Sequence, residues 1–281
     1  MTYSIVGADV SSGQVGGAGT SCLMGEDVYV IYQAAPGHGV VHAQAYYSSA
    51  GRRRAAELLA ADTAPSDIIA RITMPSFDAE ASLRQYGIVD LQGRTATFTG
   101  GDTMPFADGQ QELLADGFAF SVQGNILSSR RVLEQASAAF KSGGCDLAER
   151  LMSALEAGAH NGEGDKRCTP QGIPSDSAFL QVEAPDTPTG GFLALRVKTS
   201  GDQNPLPLLR EQLDAWRLQH PCPVAPAKPT ESSDAGCSCH LPAHTSTDMN
   251  PLDGGFLLGC LLVVARRRQR APRELRPIQA A

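Results

Sequence analysis

A chain of 281 residues, 42% of them hydrophobic, has room for one large domain with appendages and enough apolar side chains to bury a core. With 23 basic against 30 acidic residues and a net charge of -7, it lacks the positive surplus that phosphate binding needs, which argues against nucleic acid as a partner. The 29 Gly and 18 Pro imply many turns.

The first residues, MTYSIVGADV, alternate Tyr3 and Ile5 against Ser4 and Val6, the period-two pattern of a strand. SSGQ is a turn and VGGAGTSCL a second strand, together a hairpin. DVYVIYQAAPG and GHGVVHAQA are a third and a fourth strand. RRRAAELLAAD takes up helical spacing, and Pro65 opens a second helix, PSDIIARI, where a missing N–H costs nothing. LRQYGIVD and RTATFTG are strands around the turn LQGR, and FAFSVQGN is another. SSRRVLEQASAAFKSG and DLAERLMSALEAG are amphipathic helices; in the second, Leu147, Leu151 and Leu155 fall at i, i+4 and i+8. SAFLQVEA and FLALRVKT pair as late strands, and PLLREQLDAWRLQ is the last helix.

The strands come in hairpin-like groups separated by helix pairs. That order argues against a doubly wound parallel sheet. It predicts an α+β fold, a four-layer αββα sandwich of two stacked antiparallel sheets. Composition changes after Gln219, which divides the chain into a domain over residues 1–220, a Pro- and Ser-rich linker over 221–236 and a tail over 237–281. The tail's apolar run of about twelve residues makes about 18 Å of helix, against a hydrocarbon core of about 30 Å, too short to span alone.

Seven Cys are present. Cys145 and Cys168 flank one predicted helix, so a disulfide between them is one expectation in an oxidising compartment; free thiols are the other. Cys237, Cys239, His240 and His244 are residue types that suit zinc, but they stand beside a Pro-rich linker with no second half-site. No metal and no cofactor is expected.

There is no G-x-S-x-G elbow, no H-E-x-x-H and no phosphate-binding Gly loop. His38 and His42 lie four apart, but the Gly and Val between them disfavour a helix; they read as turn and strand residues, with pocket lining as the other reading. Thr2 remains. Met before a small residue is normally removed, which leaves a Thr whose α-amino group, with a pKa of about 7.7–8.0, can serve as base for its own hydroxyl. The plainer reading is a β-branched strand former. A tetrahedral intermediate needs preorganised donors, and Asn125 in SVQGN and Gln44 in HAQA are the side-chain candidates. Thr20 and Ser21 end the strand expected to pair with that of Thr2, so a hydroxyl there either approaches the amine or caps the strand end. In GDKR, Lys166 could tune the amine; alternatively Asp165, Lys166 and Arg167 form a solvated loop or an ion-pair cluster. No Lys stands near residue 33, where Tyr32 and Gln33 are found.

TYSIVGAD, GHGVVHAQA, RQYGIVDLQGR, FTGG, SVQGNIL, LAERLMSALEAG and GDKR together resemble the domain-of-unknown-function family 1028, classed with the N-terminal-nucleophile (Ntn) hydrolases. The resemblance runs from Thr2 to about Gln219. It implies the same sandwich and an amide-bond hydrolase whose first mature residue, here Thr2, attacks the carbonyl; Asn125, Gln44 and Ser21 remain the candidates to assist it on their residue types and positions. The implied partner is an unidentified small-molecule or peptide amide, and a homo-oligomer is compatible with it. The alternative is a non-catalytic binding or surface module on the same fold. CTPQGIPSD, between GDKR and SAFLQVEA, is longer than the family pattern and is expected to reshape a site edge.

The tail resembles the myxobacterial C-terminal sorting signal: Cys237 and Cys239, then the apolar residues 255–265, then Arg266, Arg267, Arg268 and Arg270. APRELRPIQAA extends beyond that pattern. Such a tag implies engagement with membrane and sorting machinery and a cell-surface or outer-membrane location. It requires a signal peptide, which the N-terminus does not display, so a start upstream of Met1 is the favoured expectation. Without one the protein would be cytoplasmic.

Overall fold

A computed structural model describes residues 2–223. The chain opens with the hairpin β1 (Thr2–Asp9) and β2 (Gln14–Ser21), followed by β3 (Tyr32–Ala35) and β4 (Gly39–Ala45). Helices α1 (Ser49–Leu59) and α2 (Pro65–Ile72) precede β5 (Arg84–Asp90), β6 (Thr95–Thr99), β7 (Asp108–Leu113) and β8 (Phe118–Asn125). Then come α3 (Arg131–Ser142), α4 (Leu147–Gly158), β9 (Ser177–Glu183), β10 (Leu193–Lys198) and α5 (Pro205–Arg217).

The strands form two antiparallel sheets: one of six strands in the order β10-β9-β2-β1-β8-β7, and one of four in the order β3-β4-β5-β6. Strand alternation supplies both faces of each sheet. On β1, Tyr3 and Ile5 join α3, α4 and α5 in a core with Phe140, Leu151, Leu155 and Leu209. Val6 and Ala8, in the opposite phase, pack between the sheets with Val15, Val40, Val89 and Phe179. Val41, Ala43, Tyr86 and Ile88 on the outer face of the small sheet meet Leu59, Ile68 and Ile72 from α1 and α2. The architecture is therefore the expected αββα sandwich. The predicted leucine stripe of α4 is fully buried. Helix starts follow local chemistry: Pro65 sits in the first turn of α2, and the Asp146 side chain caps α4 by accepting from the Glu149 N–H at 3.0 Å.

Three expectations need correction. The third strand is shorter than predicted, because Asp27 accepts from the Tyr29 N–H at 2.9 Å and winds Val28–Ile31 into a 3-10 turn. β7, DGQQEL, was not expected as a strand: it is a largely exposed edge, so its sequence carries no apolar phase. Cys145 and Cys168 do not pair. α4 leads the chain away from Cys145, and the loop after it brings Cys168 to the end of β2, where it meets Cys22. Cys145 instead bonds Cys222 and Cys168 bonds Cys22, with Cα–Cα distances of 5.5 and 5.8 Å.

Among the described residues no helix is long and apolar enough to cross a membrane. The sorting-tag residues and the Cys237–His244 zinc candidates lie outside the described residues.

Candidate functional site

Thr2 heads β1, in the middle of the six-stranded sheet, with Ser21 of β2 and Asn125 of β8 as its cross-strand partners. The pleat turns all three toward the small sheet, together with Ser4, Ser121 and Gln123. From the small sheet, Gln44 of β4 and Gln85 of β5, themselves paired in register, meet this group. The layer between the sheets is thus polar at the Thr2 end and apolar at the other.

Thr2 is 5% exposed and its hydroxyl donates to Ser21 Oγ at 3.1 Å. Gln44 Nε2 donates to the Thr2 carbonyl at 3.2 Å and to Gln85 Oε1 at 2.8 Å, while Gln44 Oε1 accepts the Ser4 hydroxyl at 2.6 Å. Gln123 Nε2 donates to Ser4 Oγ at 2.7 Å and to the Ser4 carbonyl at 3.1 Å, and Gln123 Oε1 accepts from Ser121 at 2.9 Å. Asn125 Nδ2 donates to Gln85 Oε1 at 3.1 Å. All of these side chains are buried. Their mutual satisfaction matters, since a buried amide left without a partner costs about 1–3 kcal/mol.

The four residues singled out from the sequence, Thr2, Ser21, Gln44 and Asn125, therefore converge on one strand end. Thr20 does not join them. Its side chain, in the opposite phase, donates to the Ser177 carbonyl at 2.8 Å. Gln85, Gln123 and Ser4 were missed. Their signal was present as amides and a hydroxyl at the same end of successive strands. In a four-layer sandwich both faces of the inner strands are buried, so alternation alone does not mark the polar phase.

A cavity of about 240 Å³ opens beside this cluster, lined among others by Tyr46, Asp102, Met104, Asn125, Ile126 and Arg167. Ala45 and Ile126, the residues that follow Gln44 and Asn125, both line it with positive φ, 67° and 49°. A β-branched residue in that region carries about 1–3 kcal/mol of backbone strain, a feature that concentrates at functional sites. Tyr46 and Met104, 64% and 61% exposed, form an apolar rim.

The GDKR stretch borders the same cavity. Asp165 is buried; its carboxylate accepts from the Cys22 N–H at 2.6 Å and from Arg167 Nη2 at 3.1 Å. This is the ion-pair reading of that motif, and Lys166 is exposed. The CTPQGIPSD segment is anchored just beyond the end of β2, and none of its residues lines the cavity. Cys168 is tied to Cys22, one residue past Ser21, and Asp176 accepts the N–H groups of Leu23 and Met24 at 2.8 and 2.7 Å. Cys22, Cys168 and Asp176 lie close enough to suggest a metal, but the two sulfurs are bonded to each other and are not available as ligands.

Of the two histidines, His38 sits in the β3–β4 turn and meets Asp62 at 2.9 Å. His42 is buried between the sheets against Tyr32 and Phe179, and neither ring nitrogen has a hydrogen-bond partner among the described residues. Burial lowers its pKa to about 3.

The model described as "Family of unknown function (DUF1028)" matches residues 2–208. A crystal structure of a DUF1028 protein from Silicibacter pomeroyi is similar in fold, with a TM-score of 0.63 and 24% sequence identity over 77% of this chain and 89% of that one. No curated protein matches the chain.

Proposed function

We propose, from the premise that this chain belongs to the DUF1028 family of unknown function, that it is an amidohydrolase of the N-terminal-nucleophile type, with Thr2 as the attacking residue. The observation that carries the reading is the convergence of Ser21, Gln44 and Asn125 on the Thr2 strand end beside a cavity. Removal of Met1 would free the α-amine. That amine takes the proton as Thr2 Oγ1 attacks an amide carbonyl, and the developing oxyanion is received by the Asn125 amide. Collapse breaks the C–N bond; the leaving amine takes the proton back, and water then hydrolyses the ester on Thr2 by the same base.

Export belongs to the same proposal. Two disulfides joining separate parts of the fold suit an oxidising compartment, in keeping with the sorting-tag resemblance of the tail. A binding module without chemistry is the second reading, favoured by the uncharged make-up of the network behind Thr2.

The test is incubation of Met1-free protein with a β-lactone, which acylates a nucleophilic hydroxyl by ring opening and adds its whole mass. Parent protein should gain that mass on Thr2, and Thr2→Ala should not. Equal labelling of the two proteins sinks the nucleophile reading, and an N-terminus that is blocked in the native host leaves the binding module.

A further inference from the structure

We infer that Gln85 is a positioning residue that makes Asn125 present an N–H, not an oxygen, at the Thr2 site; the inference rests on the nucleophile reading above. Backbone carbonyls only accept, and they fix the polarity of the network. Gln85 Nε2 lies 2.8 Å from the Gly124 carbonyl and 3.1 Å from that of Asp108, so the amide nitrogen of Gln85 must be on that side. Its Oε1 then points the other way, where it receives two amides at once, Gln44 Nε2 and Asn125 Nδ2. The Thr2 carbonyl fixes Gln44 by the same logic, since only Nε2 of Gln44 can donate to it.

Asn125 has no such carbonyl of its own in the network. Its orientation follows from Gln85 Oε1. With the nitrogen held there, one amide hydrogen is used by Gln85 and the second is left for an oxyanion formed on Thr2. Rotated by half a turn, Asn125 would set Oδ1 against Gln85 Oε1 and repel the same oxyanion. Gln85 is wholly buried and Asn125 lines the cavity, so Gln85 acts through Asn125 and not on the substrate.

The experiment is the rate of β-lactone acylation of Thr2, read by intact mass, in parent, Gln85→Met, Asn125→Ala and the double variant. One oxyanion donor is worth about 100- to 1000-fold in rate. The expected result is a loss of that order for Asn125→Ala, a loss of about tenfold or more for Gln85→Met, and a double variant no slower than Asn125→Ala. Gln85→Glu, whose neutral acid keeps one acceptor and one donor, should recover much of the rate lost in Gln85→Met. Parental labelling in Gln85→Met, or losses that multiply in the double variant, overturns the positioning role while leaving Thr2 as nucleophile. An unlabelled parent removes the nucleophile reading itself. If Gln85→Met does not fold, hydrogen exchange of the Asn125 side chain in parent protein decides. One slow and one fast amide hydrogen is expected, and two fast ones overturn the proposal.

Discussion

His42 shows how a residue can be chemically prominent in the sequence and silent in the site. It shares its strand face with Gln44, yet stands where the layer between the sheets has become apolar, packed by Tyr32 and Phe179. A Cβ on Gly17 would come within 2.3 Å of its Nε2, so no larger residue fits opposite. With a folded pKa of about 3 against about 6.5 unfolded, the unfolded chain binds one more proton between those values. Stability is therefore fully present above the unfolded pKa and declines as pH falls toward 3, by up to about 1.4 kcal/mol per pH unit from this residue. Urea titrations at roughly pH 6, 5 and 4 should give that slope in the parent, and His42→Leu should flatten it. An unchanged slope in the variant would assign the acid sensitivity to other groups.

At the scale of elements, most of the architecture was legible because the period-two and helical patterns are strong where one face meets a core. Tyr3 and Ile5 against Ser4 and Val6 fixed β1, and the leucines of α4 fixed its buried stripe. What escaped was local or non-local in a way that patterns do not record. The 3-10 turn depends on a single Asp27 cap, and β7 exists because β8 offers a free edge. The GDKR stretch was ambiguous for the same reason, since only the fold brings Asp165 under the Cys22 N–H. This gives a graded prediction. Asp165→Ala removes the acceptor of a buried N–H and should cost about 1–3 kcal/mol. Arg167 is 40% exposed while its carboxylate partner is 1% exposed, so Arg167→Ala leaves a buried charge that water can reach only from the vacated side, and its cost should stay below that of Asp165→Ala. Urea denaturation of the two variants checks the order; equal losses would show that the ion pair, and not the backbone bond, holds the stretch.

Across the whole molecule the two disulfides act at opposite ends of β1. Cys22–Cys168 lies at the Thr2 end, next to Ser21, and Cys145, bonded to Cys222, lines a cavity with Asp9 at the far end. The pairing could not be read from spacing: the sequence separations are 146 and 77, and only the stacked layers bring the partners together. Closing loops of that length limits the unfolded chain and typically adds about 2–4 kcal/mol per bond. Their consequences for the site should nevertheless differ. Replacing Cys145 and Cys222 with Ala should lower unfolding free energy by about that amount and leave β-lactone acylation of Thr2 at the parental rate, because the bond joins the start of α4 to the region beyond α5. Replacing Cys22 and Cys168 with Ala should lower stability similarly and slow acylation as well, because it releases the segment that carries Arg167 to the cavity edge from the strand that carries Ser21. Parallel urea curves and acylation rates for the two double variants separate the effects. If both variants acylate at the parental rate, the site-end disulfide serves stability alone, and the Asp165 and Asp176 hydrogen bonds suffice to hold the cavity edge.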